Sequence, residues 1–147
     1  MSRTCQIALQ IVFVALPLPA VVSADDRDVI EYREHIMNTL NEQAAALGMI
    51  LSTAIPGDNA AGHLQALALT AQTALKAFEP KVLGGEAKPE VWSNWLDFSK
   101  RMTEFSQKTA QAAEAAKYKS YDSLGPEIID ALSCKQCHDV YRAEKKK

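Results

Sequence analysis

Two cysteines three residues apart with a histidine directly after the second, Cys134-Lys135-Gln136-Cys137-His138, are the residues whose types and spacing could do chemistry in this 147-residue chain. Such a group can ligate zinc, shuttle a disulfide or anchor a haem covalently. Zinc wants four ligands with a second pair at defined spacing, and the remaining histidines, His35 and His63, form no such pair. A redox CxxC opens a helix that follows a strand, and no strand pattern precedes this one. Haem attachment fits each residue. Cysteines at i and i+3 lie on one side of a helical turn, where both thiols can meet the vinyl groups of one porphyrin edge. His138, at i+4 from Cys134, then projects beneath the ring as an axial ligand of the iron. A disulfide and a zinc site stay open as the alternatives.

The N-terminus bears on the compartment. Arg3 is a positive start, Ile7 to Val22 is an apolar run, and Val22-Ser23-Ala24 is a small-residue cleavage site followed by Asp25-Asp26-Arg27-Asp28. These features predict a secretory signal peptide over 1–24, a mature domain over 25–147 and a periplasmic location. The apolar run carries Pro17 and Pro19 and is shorter than the ~20 residues of a spanning helix, so stable membrane insertion is not expected. Cys5 leaves with the leader. Loss of Arg3 takes the formal net charge from −2 to about −3, which argues against a nucleic-acid or anionic-membrane surface.

Elements that could position the motif are helical throughout. Between Asp26 and Thr53, Val29, Ile30, Arg33, Ile36, Met37, Leu40, Ala44, Leu47, Gly48 and Leu51 share one stripe. His35 turns away from it with Glu31, Asn38 and Glu42. A second stripe runs from Leu64 through Leu67, Ala68, Ala71 and Leu75 to Phe78, closed by Pro80. Pro89 suits the first turn of a third helix, whose Val91, Trp95, Phe98, Met102, Phe105, Thr109, Ala112 and Ala116 recur at steps of four and three. Gly125-Pro126 can open a fourth through Ile128, Ile129, Leu132, Cys134, Cys137, His138 and Tyr141. No period-two alternation supports strands. The expected fold is an all-α, antiparallel up-down four-helix bundle enclosing one covalently attached haem. Met49 and Met102 are expected in its core, and His63 in solvent.

With Glu31-Tyr32-Arg33 in the first helix, Pro89-Glu90-Val91-Trp92-Ser93 opening the third and a terminal Cys134-to-Arg142 run, the chain resembles the cytochrome c′ family, the class II c-type cytochromes. The resemblance spans essentially the whole mature chain. It implies one haem c between the helices, attached at Cys134 and Cys137 with His138 on the iron. It also implies that Arg33 lies beside a haem propionate and Arg142 near the iron-ligating histidine. The first-helix residue facing the iron is Leu or Phe in gas-binding members and Met in low-spin relatives; here it is Met37, which points to the methionine-ligated branch.

The expected function is therefore a periplasmic one-electron carrier with His138 and Met37 on the iron, rather than an enzyme, since no paired carboxylates or Ser/His arrangement suggests catalysis. The alternative is a five-coordinate protein binding nitric oxide or carbon monoxide, and a third reading is a haemless four-helix interaction protein. Expected partners are periplasmic redox proteins, which Lys135, Arg142 and Lys145-Lys146-Lys147 could steer if acidic. A homodimer through the first two helices and a monomer both fit.

Overall fold

A computed structural model describes residues 24–144. Residues 1–23, which hold nearly all of the predicted leader, and Lys145 to Lys147 lie outside the described residues. Helix α1 (Asp26–Leu51) starts where the Asp25 carboxylate accepts the Asp28 N–H at 2.8 Å, with Asp26 and Asp28 complementing the positive end of the helix. It buries Arg33, Leu40, Leu47 and Ile50, and ends before Thr53, a non-glycine residue at φ 60°.

A 3₁₀ turn at Gly57–Asn59 leads into α2 (Ala60–Ala74), which tightens into a second 3₁₀ turn at Leu75–Phe78. The buried face of α2 is rich in small residues, Ala60, Ala68, Ala71 and Ala74 beside Leu64 and Leu67, so its backbone can approach both neighbours. It packs against α1 on one side and α4 (Trp95–Ala115) on the other. Before α4 comes the single turn α3 (Glu90–Ser93), with Pro89 as its N-cap, separated by Asn94 at φ −123°, ψ 47°. The third predicted helix is thus broken at Asn94. The fourth is broken as well, into α5 (Gly125–Ala131) and α6 (Cys134–Tyr141), where Leu132 and Ser133 leave helical geometry.

The described residues contain no strand, only isolated bridges joining Gly84 to Ala87 and Ala87 to Arg142. The fold is a helical bundle of three long helices, with α5 and α6 as its fourth leg. Four residues sit differently from the expectation. Met49 and Ile129 are 51% and 66% exposed rather than core residues, and Gly48 faces solvent while Leu47 and Ile50 carry the stripe. His63 is half-buried, its Nδ1 2.9 Å from Gln43 Oε1 across the α1–α2 seam.

Candidate haem site

Helix α6 is only eight residues long and buries a single side chain, Tyr141. Such a short helix has little stability of its own and depends on its docking. The Tyr141 ring meets Phe98 edge-on at 5.2 Å, and its hydroxyl donates to Asp97 Oδ2 at 2.5 Å. Asp97 also accepts from Arg101 Nε at 2.6 Å, and Asn94 Nδ2 donates to the Tyr141 hydroxyl at 3.2 Å. The break at Asn94 thereby supplies a donor at the foot of α4. Burial first, and then the bond to Asp97, push the Tyr141 hydroxyl up to about 12. Arg101 first, and Tyr141 second, hold the Asp97 carboxyl below its ordinary range.

From that docked turn, Cys134, Cys137 and His138 project into a cleft between α6, α1 and α4. Two cavities occupy it, of about 230 and 430 Å³, sharing Met37, Asn41, Met102, Cys137, His138 and Arg142 as walls. The smaller adds an apolar side of Leu40, Ala44, Leu67 and Phe105, together with Cys134. The larger adds Ile30, Phe78 and Val91 with the charged Arg33, Glu34 and Glu86. All six residues singled out in the sequence therefore meet here: Met37, Cys137, His138 and Arg142 on both cavities, Cys134 on the smaller, Arg33 on the larger.

Arg33 is 3% exposed. Its Nη1 donates to Val82 O at 2.8 Å and its Nη2 to Gly84 O at 3.3 Å, while Phe78 and Trp92 flank the guanidinium at 5.7 and 5.1 Å. Desolvation draws its pKa down, with Glu34 opposing. Arg33 thus fastens the loop between α2 and α3 to α1. That loop needs glycine where it crosses: Gly84 and Gly85 have φ of 130° and 62°, and a Cβ on either would stand 2.8 Å from Ile30 or Glu34. Its far end reaches α6, where Arg142 Nε donates to Glu86 Oε2 at 2.7 Å.

The donor chemistry fits a haem. Both cysteines are free thiols whose pKa values burial pushes up, so they are not the activated thiolates of a redox pair. His138 is pushed down, first by burial and then by Arg142, against Glu86 and Asp139, which favours the neutral imidazole that a metal needs. Among the described residues no group of three or more His, Cys, Asp and Glu could hold a zinc ion. Cys134, Cys137 and His138 are the residues that would hold the haem, and Arg33 lines the larger cavity. Sequence reasoning missed Asn94, Asp97, Arg101 and Glu86. The i,i+4 spacing of Asp97 and Arg101 was a visible signal; nothing local to Glu86 announced a partner 56 residues away.

No helix among the described residues is long and apolar enough to cross a membrane. The model of the family described as Cytochrome C' matches residues 28–142. Cytochrome c prime from Shewanella frigidimarina superposes with a TM-score of 0.76 at 26% identity, over 84% of this chain and all of that one. A carbon-monoxide-bound variant of the Alcaligenes xylosoxidans protein gives 0.75 at 27%, over 82% of this chain and 98% of that one. A nitric oxide complex of another variant of it gives 0.75 at 26%, over 84% and 100%. With the family model covering the bundle from its first helix to Arg142, the chain belongs to the cytochrome c′ family and holds one covalently attached haem c.

Proposed function

We propose that Cys134 and Cys137 form the thioethers, that His138 binds the iron, and that the protein takes up a diatomic gas, carbon monoxide or nitric oxide, on the opposite side. The haem supplies the ferrous iron to which such a gas binds. The observation that carries the reading is the apolar side of the smaller cavity, Leu40, Ala44, Leu67, Met102 and Phe105, which suits a small, weakly polar ligand, while Arg101, Glu104 and Lys108 complete its walls. The gas-bound Alcaligenes variants support it. His138 would hold the iron, and the bond from Tyr141 to Asp97 docks the helix that carries it. Arg33 would offer positive charge to a propionate from α1, while Arg142 lies beside His138 in the wall of both cavities. The leader over 1–24 would deliver the chain to the periplasm, where it acts as a binding protein and not an enzyme.

Electron transfer with Met37 as second axial ligand is the other reading, favoured by one observation: Met37 lines both cavities together with His138. Periplasmic redox proteins would then be the partners, and a homodimer through α1 and α2 is compatible with either reading. Titrating the ferrous holoprotein with carbon monoxide and with nitric oxide separates the two. Stoichiometric binding with a shifted haem absorption band supports gas uptake; no binding of either gas at millimolar concentration would leave electron transfer.

A further inference from the structure

The loop between α2 and α3 runs from α1 to α6, and it is tied to α6 through both backbone and side chains. Lys88 N–H donates to Tyr141 O at 2.9 Å and Ala143 N–H donates to Glu86 O at 2.8 Å, so a short antiparallel bridge of Ala87 with Arg142 sits between these two bonds. Glu86 and Arg142 join side chain to side chain across that bridge, at 2.7 Å from Oε2 to Nε. Both side chains are about two-fifths exposed, so the pair adds little to stability as an ion pair. Its backbone, however, is pinned on both sides. The Arg142 side chain is therefore held in one direction at modest entropic cost. Arg142 is part of the wall beside His138 in both cavities, and its charge is felt at His138.

We infer that Glu86 is a positioning residue for the haem site, acting through Arg142: its carboxylate keeps the guanidinium in the cavity wall next to His138 rather than in solvent. The inference rests on the bound haem and not on whether the protein takes up gas or carries electrons. A positive charge kept near the iron favours the ferrous over the ferric state, so its position is readable in the reduction potential. Removing Glu86 has two opposed effects. It deletes a negative charge, which raises the potential, and it frees Arg142 to swing outward, which lowers it. In an Arg142→Gln background only the first effect remains.

The test is a double-mutant cycle on the holoprotein with Glu86→Gln and Arg142→Gln, neither of which touches the backbone bridge. Glu86→Gln should raise the equilibrium constant for one-electron reduction at least threefold less when Arg142 is present than when Arg142→Gln has removed it, a difference of about 28 mV. In parallel, exchange of the Arg142 Nε–H with water, followed by NMR, should speed at least tenfold on Glu86→Gln. Equal shifts in the two backgrounds would mean that Glu86 acts only as a charge through space, and unchanged Nε–H exchange would mean that it does not hold Arg142. Either result overturns the inference.

Discussion

Replacing Arg33 with methionine removes a buried charge while keeping a flexible, apolar filler between Phe78 and Trp92. The bond to Val82 O, at 2.8 Å from a charged donor, contributes on the order of 1.5–3 kcal/mol, and the 3.3 Å bond to the exposed Gly84 O less, about 0.5 kcal/mol. Each ring face adds about 0.5–1 kcal/mol, part of which a thioether against the same rings restores. Against these stands the desolvation that draws the Arg33 pKa down, which the variant escapes. The balance is a loss of about 2–3 kcal/mol, or roughly 8–12 °C in the midpoint for a domain of this size. Circular dichroism at the helix band, on the haem-loaded protein, measures it. Arg33→Lys should recover less than half, because a point-like ammonium cannot span two carbonyls. A loss below about 0.5 kcal/mol, or a gain in stability, would refute the assignment of Arg33 as the fastener between α1 and the loop.

Tyr141 should ionise late. Its folded pKa is raised, so the stability it contributes is fully present below about pH 10 and lost as pH rises through about 12; phenolate absorbance should show a late-titrating component that Tyr141→Phe abolishes, and a wild-type profile unchanged by that substitution above about pH 10 would contradict this. Gly57→Ala would set a Cβ 2.2 Å from Cγ of Tyr121, whose ring is pinned by its hydroxyl on Ile50 O at 2.7 Å. Overpacking of this kind costs about 2 kcal/mol, measured by denaturant unfolding, while the haem spectrum stays unchanged because neither residue lines the cleft. Denatured wild-type protein should keep its haem on a gel, and Cys134→Ala with Cys137→Ala should release it; haem that washes out of the wild type would exclude thioethers.

Periodicity made the helices legible, because apolar spacing at 3.6 residues records which face is buried whatever lies opposite. It could not find the breaks at Asn94 and at Leu132-Ser133. The apolar stripe continues across both, and what interrupts each helix is tertiary: the Asn94 amide reaches Tyr141 on α6, and α6 turns so that its one buried ring meets Phe98. Met49 and Ile129 misled for a related reason. Each is an apolar residue at the edge of a stripe, and the edge belongs to solvent unless another helix covers it. The motif at Cys134, Cys137 and His138 was readable because attachment chemistry fixes its spacing. Met37 and Arg33 could be placed because they sit on the same face of α1 as the buried Leu40 and Leu47. The bond from Tyr141 to Asp97 and the pairing of Glu86 with Arg142 join residues 44 and 56 positions apart where α6 meets its neighbours, and long-range polar pairs leave no periodic trace.

Met37 decides between the two functions, since it shares both cavities with His138 and a thioether there can either ligate iron or only fill space. The most direct measurement is the absorption spectrum of the ligand-free ferric holoprotein, taken beside that of Met37→Leu. Both should give a high-spin spectrum without the weak far-red band of sulfur on iron, and the leucine variant, nearly equal in volume, should lose less than about 1.5 kcal/mol of stability. A low-spin wild-type spectrum carrying that band, lost in Met37→Leu, would contradict an open gas-binding face and make the protein an electron carrier.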